Sequence, residues 1–204
     1  MKPASMTTGV FGGSFDPIHT GHTSLASHIV ACGLCDRVLL MVSPLNPLKT
    51  DRPPVGFDDR MAMARLATEG LRGVEASAFE AGLPLPSFTY RTLESLSAQY
   101  PDVRFRLIIG ADNWIAFPRW RNHTELTERF SPIIYPRPGV EIDPAMLPAN
   151  VDYLADAPRN NISSTELRSL LGDPEAVRPQ LIDPRVWDYA RARGLYSGGL
   201  PNGR

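Results

Sequence analysis

Val10-Phe11-Gly12-Gly13-Ser14-Phe15-Asp16-Pro17-Ile18-His19-Thr20-Gly21-His22 carries the strongest fold signal in the chain. It leaves a short apolar run at Val10-Phe11, passes two glycines that let backbone N–H groups approach an anion, and enters helical spacing from Thr20 to Ala31. A strand, a glycine turn and a helix start in that order make a cradle for phosphate. Thr20 is expected to cap the helix, with His19 and His22, three apart, pointing the same way from its first turn. Two imidazoles placed there can donate to phosphate oxygens. Asp16 reads as shaping the turn with Pro17. Two ordinary surface histidines beside a cap would look the same, and the segment alone leaves both readings open.

Apolar, β-branched runs recur at Val38 to Val42, Phe105 to Ile109, Ile133 to Tyr135 and more weakly Val151 to Leu154. Helical spacing fills Phe57 to Leu71, Phe88 to Ala98, Ser164 to Leu171 and Pro184 to Arg193. Strand alternating with helix predicts an α/β protein: a doubly wound parallel sheet with helices on both faces and ligands beyond the carboxyl ends of the strands. Ser43 to Val55 and Ala81 to Pro86, rich in proline, read as loops beside a site. One domain over residues 1–196 is expected, followed by a frayed tail at 197–204.

The second anchor is Asn161-Ile162-Ser163-Ser164-Thr165-Glu166-Leu167-Arg168. Ser163 and Glu166 form a capping box, Ile162 and Leu167 a hydrophobic staple. Its N–H groups and hydroxyls offer a second anion site, with Arg168 four residues after Ser164 on the same face. A well-capped surface helix carrying a solvated arginine is the plain alternative.

Bulk properties narrow the classes. The 204 residues are 43% apolar and 21% charged with formal net charge -1, which favours a globular chain and gives nucleic acid or membrane no basic excess to meet. No apolar run approaches the roughly 18 to 20 residues that span a bilayer, and Met1 to Thr8 lacks a signal-peptide core, so the cytoplasm is expected. Cys32 and Cys35 form one C-x-x-C without a second ligand pair, and read as packing residues rather than a redox pair or zinc site.

Taken together, these marks resemble the bacterial nicotinate mononucleotide adenylyltransferases of the HxGH nucleotidyltransferase superfamily. Gly12 to His22 looks like the family's G-x-F-D-P-x-H-x-G-H and Ile162 to Arg168 like its I-S-S-T-x-x-R. Ile109-Gly110-Ala111-Asp112 with Trp120 downstream, Ser87-Phe88-Thr89, and the ending Gly194-Leu195-Tyr196 are similar to further family segments. The resemblance implies a Rossmann-like nucleotidyltransferase fold and transfer of the adenylyl group of ATP to nicotinate mononucleotide, with pyrophosphate released. It places His19, His22 and Arg168 in catalysis, and Gly12, Ser14, Phe15, Gly110, Asp112, Ser163 and Ser164 around ATP. Lys49, Thr89, Trp120 and Arg137 would serve the acceptor, Trp120 by stacking on the ring. Mg²⁺ would be held mainly by substrate phosphates, with no protein metal ligand, and homo-oligomeric assembly stands open. The departures are Leu48 where a histidine often precedes the lysine, Phe88 for tyrosine and Arg91 for aspartate. Phosphopantetheine adenylyltransferase, which usually lacks the first histidine, and a non-catalytic nucleotide sensor are the competing expectations.

Overall fold

A computed structural model describes residues 6–44, 55–158 and 163–197. Among the described residues, six strands form one parallel sheet: β1 (Met6–Gly13), β2 (Arg37–Val42), β3 (Val74–Ser77), β4 (Val103–Gly110), β5 (Ile133–Tyr135) and β6 (Asp152–Tyr153). Their order is β3-β2-β1-β4-β5-β6, so the chain runs outward in both directions from β1 and β4. The helices are α1 (Thr20–Ala31), α2 (Phe57–Thr68), α3 (Thr89–Gln99), α4 (Ala111–Ala116), α5 (His123–Phe130), α6 (Ser164–Gly172) and α7 (Pro184–Ala192). None among the described residues is long and apolar enough to cross a membrane.

The expected doubly wound α/β sheet is what forms, and its reason lies in the central strands. Val10, Leu40, Leu107, Ile108 and Ile134 are all buried, because parallel strands covered on both faces must be apolar on both. Alternate residues split the core in two: Phe11, Val38, Leu40 and Ile108 pack with α1, α2 and α7, whereas Val10, Leu107, Ile109 and Ile134 pack with α3 and α5. Arg106 interrupts the apolar pattern of β4, and is held by Ser131 O at 2.9 Å and by Asp152 of β6 at 2.5 Å.

Several elements escape the sequence pattern. The strand β3 is four residues long with Val74 alone fully inward, too short to show alternation. Helix α2 stops at Thr68, short of the expected Leu71, and the chain turns at Gly70, whose φ of 82° favours glycine. Helices α4 and α5 are short, and α5 buries only Leu126 and Phe130. Of the two cysteines, Cys35 packs in the core but Cys32 is exposed. Burial pushes the Cys35 thiol up to about 11, which removes the thiolate a redox pair would need.

Gly9 marks the tightest packing of β1. A Cβ there would stand 2.7 Å from Ile108 Cδ1, 3.1 Å from Cys35 Sγ and 3.2 Å from Val38 Cγ2. Gly9→Ala is expected to destabilise the protein by about 1–3 kcal/mol through overpacking, measured as the shift in urea midpoint; an unchanged midpoint would show that the β1–α1 layer is loosely packed.

Candidate active site

The switch in strand order between β1 and β4 opens a crevice at their carboxyl ends, where parallel sheets place ligands. The described residues enclose two cavities there. One, of about 910 Å³, is bounded by His19, His22, Tyr135, Arg137 and the turn after β5. The other, of about 370 Å³, is bounded by Gly12, Gly13, Phe88, Thr89, Gly110, Trp120 and Arg121. Phe11 and Tyr135 belong to both walls, so the cavities are neighbours.

The first helix is not capped by Thr20. His19 is the N-cap: its Nδ1 accepts from the N–H of Gly21 at 3.1 Å, while the N–H of His19 donates to Nδ1 of His22 at 3.3 Å. Thr20 instead sends both its N–H and its hydroxyl to Leu181 O, each at 3.0 Å, tying the turn to the segment before α7. Because each Nδ1 must keep its lone pair to accept, both rings are neutral and protonated at Nε2, which makes Nε2 the donor end of each. The rings lie 3.8 Å apart between centroids, tilted by 33°, and both border the larger cavity. Phe15 lies beneath, 3% exposed, edge-on to His22 at 5.0 Å; its φ of 46° is the turn's departure from ordinary backbone.

The helix start at Ser163 carries the expected capping box. Glu166 N–H donates to Ser163 Oγ at 3.2 Å, and Glu166 Oε2 receives the N–H and hydroxyl of Ser163 at 2.7 and 2.8 Å. Those two donors hold the Glu166 carboxyl below its ordinary range. Ser164 Oγ donates to Pro17 O at 3.0 Å, and Arg168 donates to Asp16 O at 2.7 Å and to Thr165 Oγ1 at 2.8 Å. Tyr196, buried behind α7, donates to Asp16 Oδ1 at 2.8 Å. The two anchors read in the sequence are thus one assembly. Ile162 and Lys49 lie outside the described residues.

The other sequence-derived residues divide between the cavities. Thr89 opens α3 and Trp120 ends the turn after α4; both border the smaller cavity, whose floor is Val10, Met41, Leu93, Leu107 and Ile109. Arg137, expected with them, borders the histidine cavity and pairs with Asp112 at 3.6 Å. That pair folds over Gly110, where a Cβ would collide with Asp112 Oδ1 and stand 3.0 Å from Arg137 Cγ. Ser14 Oγ and Ser87 Oγ are buried without a hydrogen-bond partner among the described residues. Arg60 and Glu80 do not read as site residues in the sequence, because a charge on an amphipathic helix or in a short turn looks solvated until distant segments close over it; Tyr135 reads only as the end of a strand and Tyr196 only as part of a family-like carboxyl end.

Burial, aided by the charge of Arg137, lowers the His19 pKa from 6.5 to about 4. A pKa depressed on folding adds stability above 6.5 that is lost as pH falls through about 4. Replacing His19 by asparagine, which caps a helix and does not titrate, is expected to remove on the order of 3 kcal/mol of pH dependence across that window. Chemical denaturation at a series of pH values checks it, and parallel curves for the two proteins would contradict it.

Comparison with known proteins agrees with this geometry. A family model described as cytidylyltransferase-like matches residues 10–170. A protein of Bacteroides thetaiotaomicron named as a probable nicotinate-nucleotide adenylyltransferase is 41% identical over 186 residues, 91% of each chain. One of Porphyromonas gingivalis with the same name is 39% identical over 90% of this chain and 93% of its own. Among solved structures, the Plasmodium falciparum nicotinic acid mononucleotide adenylyltransferase complexed with NaAD shares the fold with a TM-score of 0.76 at 21% identity, over 95% of this chain and 98% of that one. By these matches, which run through both helix-start anchors, the chain belongs to the cytidylyltransferase-like family and, within it, to the nicotinate-nucleotide adenylyltransferases.

Proposed function

We propose that the chain transfers the adenylyl group of ATP to nicotinate mononucleotide, forming nicotinate adenine dinucleotide and pyrophosphate in NAD biosynthesis. The observation that carries this reading is the pair of adjoining cavities at the β1/β4 switch, one bordered by two Nε2–H imidazoles and a guanidinium, the other by Trp120, Phe88 and Thr89 over an apolar floor. A triphosphate suits the first and a planar ring the second.

In the reaction, an oxygen of the mononucleotide phosphate attacks the α-phosphorus, the bond from that phosphorus to the bridging oxygen breaks, and pyrophosphate leaves with the electron pair. No covalent enzyme intermediate is needed. The chain's part is to align the phosphates and to meet the charge that moves onto the leaving group. His19 and His22 would donate from Nε2, and Arg168 would use N–H groups beyond the two that hold Asp16 and Thr165. For Ser163 to reach a phosphate, the incoming anion must displace the Glu166 carboxylate, itself an anion at the same helix start. Among the described residues no three or more of His, Cys, Asp and Glu gather into a cluster, and Asp16 and Asp112 are engaged by Tyr196 and Arg137. That donor set fits a Mg²⁺ ligated by phosphate oxygens and water, where it would neutralise phosphate charge.

The test is pyrophosphate release with Mg²⁺ and ATP, offering nicotinate mononucleotide, nicotinamide mononucleotide and phosphopantetheine in parallel, with products identified by mass. Preference for the nicotinate compound is expected; turnover only with phosphopantetheine contradicts the acceptor, and silence with all three contradicts the enzyme. His22→Ala is expected to lose about 10²–10³-fold in kcat with an unchanged circular dichroism spectrum, and near-normal turnover would remove His22 from the mechanism.

A further inference from the structure

Arg60, on α2, is only 1% exposed and is the largest fully buried side chain among the described residues. None of the ion pairs among the described residues includes it. Its guanidinium is satisfied by backbone carbonyls: Nε donates to Val55 O at 2.7 Å, Nη2 to Pro44 O at 3.1 Å, and one nitrogen, Nη1, to both Ser14 O at 2.7 Å and Ser43 O at 2.8 Å. Two carbonyls on one nitrogen hold the phosphate turn and the end of β2 at a fixed separation, and a planar guanidinium does this with little freedom to lose.

The connection continues into the second cavity. Ser43 donates its hydroxyl to Glu80 Oε2 at 2.7 Å, and Thr92 of α3 approaches Glu80 Oε1 at 3.5 Å. Glu80 is 7% exposed, and Ser43, Glu80 and Thr92 all border the cavity that holds Thr89 and Trp120. A chain of hydrogen bonds therefore runs from Ser14, in the turn that leads to the histidines, to the wall of the ring cavity.

We propose that Arg60, Ser43 and Glu80 form a brace that sets the position of the phosphate turn relative to the ring cavity, and thereby the alignment of the two reacting phosphates. Arg60 is a positioning residue, acting through the Ser14 and Ser43 carbonyls without touching substrate. The inference rests on the two-cavity reading of the reaction. Removing an apolar core residue weakens folding alone; loosening this brace leaves each substrate its own cavity but spoils their approach, an error for which a displacement of about 1 Å costs about 100-fold in rate.

The experiment uses the full chain with whichever mononucleotide the unaltered protein turns over, so a wrong acceptor assignment shows first, in the unaltered protein, and does not decide the brace. Arg60→Lys, which keeps the charge but cannot span four carbonyls, is expected to lose about 100-fold in kcat while KM for ATP and for the mononucleotide and the dissociation constant of a non-hydrolysable ATP analogue change by less than about threefold. Ser43→Ala removes one hydrogen bond at a half-buried position, and is expected to lose about tenfold on the same pattern; it decides the matter if Arg60→Lys does not fold. Unchanged kcat in a folded variant overturns the proposal, as does a fall in kcat matched by an equal loss of analogue binding, which a purely structural role would give.

Discussion

The turn from Gly12 to His22 is held in place by hydrogen bonds that its carbonyl groups accept from distant side chains. Asp16 O is taken by Arg168, Pro17 O by Ser164, Ser14 O by Arg60, and the Asp16 carboxylate by Tyr196. The donors come from three separate parts of the chain, α2, α6 and the segment after α7, and each bond would be worth little alone in water. Together, and shielded in part from water, they hold a turn containing a left-handed Phe15, a conformation costly for an aromatic residue. With these carbonyls taken and the N–H groups of His19, Thr20 and Gly21 already bonded within the protein, the Nε2 atoms of His19 and His22 are the donors that the helix start offers a polyanion.

The same constraint explains why two histidines rather than a serine or threonine begin α1. A hydroxyl cap would satisfy the helix but offer nothing further to phosphate. An imidazole accepts at Nδ1 and donates at Nε2, so one ring closes the helix and points a proton at the cavity. Burial and the nearby Arg137 keep His19 neutral, which preserves the cap; negative charge arriving in the cavity would raise its affinity for a proton as the reaction needs one near the leaving group.

Much of this was legible in the sequence, and what was not shares a physical cause. The central strands show as apolar runs because they are buried on both faces, and the Ser163–Glu166 box shows because capping is local. The neighbourhood of the two anchors followed from their resemblance to one family. The histidine cap was missed because Thr20 is the commoner capping type and its diversion to Leu181, 161 residues away, is a tertiary event. Arg60 and Glu80 were missed because a charge in an amphipathic helix or short turn ordinarily faces water, and only closure of the Ser14 and Ser43 segments reverses that. Arg137 reads with the acceptor residues from its resemblance, and its place in the sequence cannot tell that the turn after β5 sets it on the histidine cavity.

On the proposed mechanism, two substrates in adjoining cavities react in a single in-line displacement aligned by one turn. This mechanism is tested most directly by the stereochemistry at the α-phosphorus, using ATP made chiral there with sulfur and reading the configuration of the dinucleotide by phosphorus NMR. Inversion is predicted. Retention would require two displacements through an adenylylated residue, and would contradict the account of a turn that only positions and stabilises.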